Sequence, residues 1–355
     1  MIIPHSRTTA CEGDFEAVRF QIEKGMHATK DKVTEFQKKM CDFIGRKYAV
    51  SASTGTTALQ LALESLNLKK DDEVILPSYV CQSVMNSVLF AGARPVLADI
   101  DDDFLGRGYN ISKKTIMPLI NKKTKAIIVP HMFGTPAEID KIKALGITII
   151  EDCAQSLGGN YNGEKIGRFG DLAVFSFYAT KVISTGHGGM ILTDSKKLKE
   201  NLDDLTCCDK REEHKKAHNF GFTDIQAALG INQLAHISDL IKRREEIEKK
   251  YNDSLKNISE ITIPRKIDGS FPFRYVIALK DRKERKLLQN KLAKKGIASE
   301  QPIFKPLHQY LNLLAKDFPN SEKAHEIALS LPIYPSLKDE EVNFVINSVR
   351  EVFAK

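Results

Sequence analysis

The chain has 355 residues, 42% of them hydrophobic, so it buries a sizeable core and exceeds one ordinary domain. A net charge of +7 raises nucleic acid as a partner, but the lysines are scattered over amphipathic stretches such as 242–250 and 282–295. With no basic stripe interleaved with aromatics and no recognition motif, nucleic acid is set aside. The six cysteines form no C-x-x-C pair, no basic-then-apolar leader opens the sequence, and no apolar run approaches a membrane span. Zinc, a disulfide framework, secretion and a membrane anchor are therefore not indicated, and the cytoplasm is the expected location.

From Tyr48 to about Thr193 short apolar strands alternate with amphipathic helices. Strands are predicted at Tyr48–Ser51, Glu73–Pro77, Pro95–Asp99, Ala126–Pro130 and Ile147–Ile150, with helices at Thr56–Leu66, Val80–Ala91 and Glu138–Leu145. This repetition predicts a mostly parallel α/β sheet covered on both faces, to which Leu172–Phe177 and Met190–Thr193 add two strands. One long helical stretch, Thr223–Leu255, carries i,i+4 charge pairs such as Glu245 with Lys249 and bridges to a second domain. That domain holds a strand near Tyr275–Leu279, a helix Arg282–Lys295 closed by Gly296, and a terminal helix Lys338–Phe353. The expected partition is a large domain over 1–240 and a small C-terminal α/β domain over 241–355.

Two groups at strand ends carry chemistry. Lys181 follows the strand ending in Phe175-Ser176-Phe177 and precedes the turn Thr185-Gly186-His187-Gly188-Gly189, where its amine is offered to an aldehyde. Asp152 ends another apolar strand, where a carboxylate needs a cationic or hydrogen-bonding partner. An amine and a carboxylate so delivered meet two requirements of pyridoxal 5'-phosphate (PLP): a lysine that bonds its aldehyde and an acid that pairs with its pyridinium nitrogen. Ser53-Thr54-Gly55-Thr56-Thr57 lies between strand and helix, suited either to bind phosphate or to cap the helix. Tyr79, beyond the strand Glu73–Pro77, either stacks on a flat ring or packs in the core. Gln155 either covers a ring oxygen or lies in a surface turn, and Ser176 either reaches a phosphate or is structural. His131, His187 and His308 are isolated and read as polar packing.

Several segments in order resemble the DegT/DnrJ/EryC1/StrS family of PLP-dependent sugar aminotransferases, of the aspartate-aminotransferase fold type I. They are Thr54-Gly55-Thr56-Thr57-Ala58-Leu59, Gly92-Ala93-Arg94-Pro95-Val96 with Asp99-Ile100-Asp101, Glu151-Asp152-Cys153-Ala154-Gln155, Phe175-Ser176-Phe177 with Lys181, Asp224-Ile225-Gln226-Ala227-Ala228-Leu229-Gly230, and Pro306-Leu307-His308. The resemblance implies Lys181 as the cofactor-bonding lysine and proton shuttle, Asp152 at the pyridinium, Gln155 at the ring hydroxyl and Tyr79 stacked on the ring. It implies Gly55, Thr56 and Ser176 at the phosphate, and Asn219 donated to the neighbouring subunit's cofactor, hence a homodimer with shared sites. The implied reaction moves an amino group from an amino acid, usually L-glutamate, to a keto group of a nucleotide-linked sugar, for glycan or secondary-metabolite synthesis. The alternatives are a PLP-dependent sugar dehydratase of the same family, whose members carry histidine where this chain has Lys181, and a catalytically silent regulatory member, against which Lys181, Asp152, Gln155 and Ser176 together argue. Two departures stand out: Gly221 where the family has an arginine associated with the donor carboxylate, and His187 where it has glutamate.

Overall fold

The computed structural model describes residues 2–28, 31–209 and 211–354. Its strands in chain order are β1 (Tyr48–Ala52), β2 (Glu73–Pro77), β3 (Arg94–Ala98), β4 (Thr124–Pro130), β5 (Thr148–Asp152), the hairpin β6 (Asn160–Tyr161) and β7 (Glu164–Lys165), β8 (Leu172–Ser176), β9 (Gly189–Thr193), β10 (Ile261–Thr262), β11 (Tyr275–Leu279) and β12 (Ala328–Leu331). Seven of them make one sheet in the order β1-β9-β8-β5-β4-β2-β3. β8, β5, β4, β2 and β3 run parallel, and β9 is antiparallel to both of its neighbours. β9 follows β8 after the turn segment that holds Lys181, which contains no helix to carry a parallel crossover.

The parallel strands are buried on both faces, and successive residues alternate between two cores. Leu76, Ile128, Ile150 and Val174 face the helix Gly55–Glu64 and the small domain. Ile75, Ile127 and Ile149 face the opposite layer, as do Ala173 and Phe175. The small domain builds its own core around the antiparallel sheet β10-β11-β12, and Ile3 near the N-terminus packs into it. Among the described residues no helix is long and apolar enough to cross a membrane.

The expected helix Thr223–Leu255 is two helices, Asp224–Ala235 and Ile237–Leu255, broken at His236. The first is apolar and buries Ala227, Ala228 and Gly230, the last so close to the Phe36 ring that a Cβ would lie 2.7 Å from it. The second runs from one core to the other, with Ile237 and Leu240 in the large domain's core and Ile247, Tyr251 and Leu255 in the small domain's. A change of partner along the chain forces a change of direction that charge spacing alone does not show.

Two motif acids tie these elements together. Asp99 accepts from the amides of Asn320 and Ser321, holding the N-terminus of the helix Pro319–Ile327 against β3. Glu151, fully buried on β5, accepts from His131 Nε2 (3.1 Å) and from the amides of Gly167 (3.0 Å), Phe169 (2.8 Å) and Gly170 (2.6 Å), with Arg46 at 3.6 Å. Burial pushes its pKa up, but the bond from His131 and the amides outweigh it and hold the carboxyl below its ordinary value. Stability from a depressed carboxylate is fully present above the unfolded pKa and disappears as pH falls through the folded one. E151Q is expected to lower unfolding free energy by about 2–4 kcal/mol in denaturant titrations near neutral pH. The gap to wild type should narrow as the solution is acidified; a gap constant with pH would show that the charge contributes nothing.

Candidate active site

The site is assembled where β5 and β8 end, beneath the first turn of the helix Gly55–Glu64. That turn is fixed by a reciprocal cap: Thr54 Oγ1 accepts from the Thr57 amide and Thr57 Oγ1 accepts from the Thr54 amide, each at 3.0 Å. The cap leaves the amides of Gly55 and Thr56 pointing out of the helix, at its positive end. A Cβ on Gly55 would lie 2.7 Å from Ser176 Cβ and 2.9 Å from its hydroxyl, so the absence of a side chain lets the serine reach these amides. Gly189, the first residue of β9, passes against the Thr54 carbonyl so closely that a Cβ would overlap it. Two amides, one hydroxyl and a helix N-terminus make a cradle for a phosphate.

Asp152 shares the sheet face of Ile150 and Ser176, opposite to Glu151, because adjacent strand residues alternate. Its partners are far fewer than those of Glu151: Oδ1 accepts from the Ala154 amide at 3.0 Å. Burial raises its pKa, and the Ala154 amide and the charges of Lys181 and His131 offset this only in part. A donor that brings positive charge is what this carboxylate lacks.

Lys181 closes a turn in which its amide donates to the Tyr178 carbonyl at 2.8 Å. Its Nζ stands 5.4 Å from the centre of the Phe273 ring. Burial pulls its pKa down, Cys81 and Asp152 push it back up, and Arg274 lowers it further. A desolvated amine with a lowered pKa loses its proton readily and is a nucleophile near neutral pH. The Phe273 amide donates to the Phe133 carbonyl at 3.1 Å, so the segment leading into β11 backs the lysine.

The structure thus brings Lys181, Asp152, Ser176, Gly55 and Thr56 to one place. Gln155 joins them from the loop after β5, its Oε1 accepting from the Phe133 amide at 3.2 Å. Tyr79 does not join: it is fully buried, stacked on Tyr109 at 5.8 Å, and presents no face to the cleft. Of the two readings of this residue, core packing is the observed one. Its loop is pinned from the small domain by a buried relay, Ser78 Oγ to His308 Nδ1 (2.6 Å) and His308 Nε2 to Glu322 (2.7 Å). Cys81, two residues on, is exposed and close enough to act on the charge of Lys181. Asn219 is exposed and, with Gly221, lines a groove beside Gln37 and Ser51, apart from Lys181. His187 is exposed, edge-on to Tyr178 at 5.2 Å. Cys81, Phe273 and Arg274 went unnoticed in the sequence. The last two sit far from Lys181 along the chain, and only the folding-over of the small domain brings them near.

The donor set fits PLP: a cradle for its phosphate, a half-buried acid wanting a cationic N–H, and a desolvated amine for its aldehyde. Comparison with known proteins agrees. Residues 10–350 match the DegT/DnrJ/EryC1/StrS aminotransferase family. The chain is 31% identical to the GDP-perosamine synthase of Vibrio cholerae, over 94% of each chain. The fold superimposes on that of Helicobacter pylori PseC, an aminotransferase of pseudoaminic acid biosynthesis, with a TM-score of 0.93, 27% identity and 99% of both chains covered. A putative sugar aminotransferase from Streptococcus pneumoniae, Spr1654 in its PLP form, matches with a TM-score of 0.90 at 25% identity, over 99% of this chain and 98% of that one. The chain belongs to the DegT/DnrJ/EryC1/StrS aminotransferase family and is a PLP-dependent enzyme.

Proposed function

We propose that this enzyme transfers an amino group from an amino acid, with L-glutamate the first donor to try, to a keto group of a nucleotide-linked sugar. The observation that carries the reading is the meeting of a desolvated Lys181, an under-partnered Asp152 and the Gly55–Ser176 cradle on one sheet face. The named activities of the relatives, GDP-perosamine synthesis and pseudoaminic acid biosynthesis, support a sugar nucleotide as acceptor.

PLP supplies an electron sink when bound. The chain's own residues do the rest. The amides of Gly55 and Thr56 and the Ser176 hydroxyl anchor the phosphate end. Asp152 holds a proton on the ring nitrogen, because its own burial makes an adjacent positive N–H favourable. Gln155 is fixed by the Phe133 amide and positions the ring's oxygen side. Lys181 Nζ, once free, takes the proton from the donor's α-carbon and delivers it elsewhere in the site, a task suited to an amine of lowered pKa. Phe273 beside it keeps water from the amine. The presence of lysine at 181 favours transamination over the sugar dehydration carried out by histidine-bearing relatives.

The reading also makes the molecule a homodimer with shared sites. Asn219 is exposed in its own protomer and distant from its own Lys181, which suits donation across an interface. Three tests follow from these roles. Purified protein with PLP should show a visible band that K181A lacks, and L-glutamate or L-glutamine should bleach it; a band indifferent to every amino acid would sink the aminotransferase reading. D152N should weaken PLP retention by about 2–5 kcal/mol, measured as the free PLP needed to reload the apoprotein; equal retention would place the ring nitrogen elsewhere. Mixing K181A with N219A, each inactive alone, should restore activity through hybrid dimers with one intact site. No restoration would place Asn219 in its own protomer's function.

A further inference from the structure

An amino acid donor carries an α-carboxylate into a site already holding the anionic phosphate and Asp152. Drawing that carboxylate out of water requires a cation with free donors, and an arginine fork answers a carboxylate best. The buried and half-buried arginines differ sharply in what they already hold. Arg46 donates to the carbonyls of Gly167 and Gly170 and pairs with Asp194. Arg244 donates to the carbonyls of Phe273 and Ile333, and Arg285 to that of Glu326. Arg274 holds no carbonyl or carboxylate: its Nη1 lies 3.3 and 3.5 Å from the two nitrogens of His5. That imidazole is itself kept neutral by burial and by the arginine's charge, its pKa pushed down to about 3.

Position agrees with this vacancy. Arg274 precedes β11 and stands in phase with Val276, whose side chain packs in the core shared with the large domain. Its charge acts on Lys181, and Glu300, followed by the Tyr79 and Cys81 side chains, acts on it in turn. The Tyr79 hydroxyl beside it is buried without a hydrogen-bond partner. Among the described residues, Arg274 is the arginine whose charge bears on Lys181. Gly221 has no side chain to offer and lines a different groove.

We propose that Arg274 receives the α-carboxylate of the amino donor, its guanidinium clamping the acid while Lys181 acts on the neighbouring α-carbon. The proposal rests on the aminotransferase reading and assigns its donor subsite. It explains why a charged side chain stands here with a neutral imidazole as its hydrogen-bond partner and Glu300 acting on it only from beyond that ring: the acceptor in direct contact arrives with the substrate.

The test uses PLP-loaded protein and compares L-glutamate with n-propylamine, which has an amine and no carboxylate, by the rate at which each changes the visible band. In R274Q the ratio of the two rates should fall roughly a hundredfold or more, and R274K, which keeps a point charge without the fork, should fall between. Succinate titrated into the PLP-loaded protein by calorimetry should bind wild type and fail to bind R274Q. The retained cofactor band shows that a variant is folded. An unchanged rate ratio together with unchanged succinate affinity would overturn the proposal. Should wild type react with no amino acid, the aminotransferase reading falls, and the succinate titration still decides whether Arg274 is a carboxylate site.

Discussion

A single alternation at the end of one strand sets the logic of this molecule. β5 delivers two adjacent carboxylates from a sheet buried on both sides, and the pleat sends them to opposite faces. Glu151 meets a histidine, three amides and an arginine, and becomes a knot that ties β4, the loop before β8 and the strap at Arg46 into one layer. Asp152 meets one amide and a distant amine. The same chemical group is thus structural on one face and reactive on the other, and the difference is the number of donors each face supplies. A buried acid left short of donors is costly unless something charged completes it. In a protein that binds a protonated pyridine, that incompleteness is the recognition element.

The phosphate end follows a complementary rule. There the protein leaves donors unanswered instead of an acceptor: two amides at a helix start and a serine brought within reach because position 55 lacks a side chain. Cradle and acid lie on one face because Val174, Ser176, Ile150 and Asp152 are in phase across neighbouring parallel strands, whose register pairs Asp152 with Val174. The ligand's two charged ends are therefore matched by sheet geometry, and Lys181 enters from the turn that begins the antiparallel return of β9.

Much of this was legible in the sequence. The alternation of apolar strands with helices gave the parallel core, since buried parallel strands are near-continuous runs of Val, Ile and Leu. Lys181, Asp152, Ser176 and Gly55 were visible because each sits within a few residues of a strand end, where local pattern fixes position. What local pattern cannot fix was missed. Tyr79 and Cys81 lie two residues apart in one loop, and which of them faces the cleft depends on the relay from Ser78 through His308 to Glu322, contributed by the far end of the chain. The aromatic side chain is the conspicuous one, yet stacking on the Tyr109 ring claims it for the core. The reversal of β9 and the break at His236 were likewise decided by what those segments pack against. So was the approach of the N-terminal residues to the small domain, which no reading of the first few positions would have suggested.

Arg274 extends the same principle of matched incompleteness to the substrate. The large domain offers groups completed by the cofactor; the segment before β11 offers a guanidinium whose hydrogen bonds reach a neutral imidazole and no carboxylate, with Glu300 acting on it from beyond that ring. Drawing this charge largely out of water works against the stability of the free enzyme, and burial lowers its pKa, an effect Glu300 offsets in part. Such a cost persists where function uses it, and a carboxylate docking between the two domains would convert it into attraction where Lys181 must find the α-carbon. Selectivity then divides cleanly between the halves of the reaction. The donor is selected for its acid by a fixed fork, whereas a sugar acceptor lacks that acid and must be held by its nucleotide. A chain with glycine at 221 thereby keeps a route to amino acid donors, relocated from an exposed segment to the bend that leads into β11.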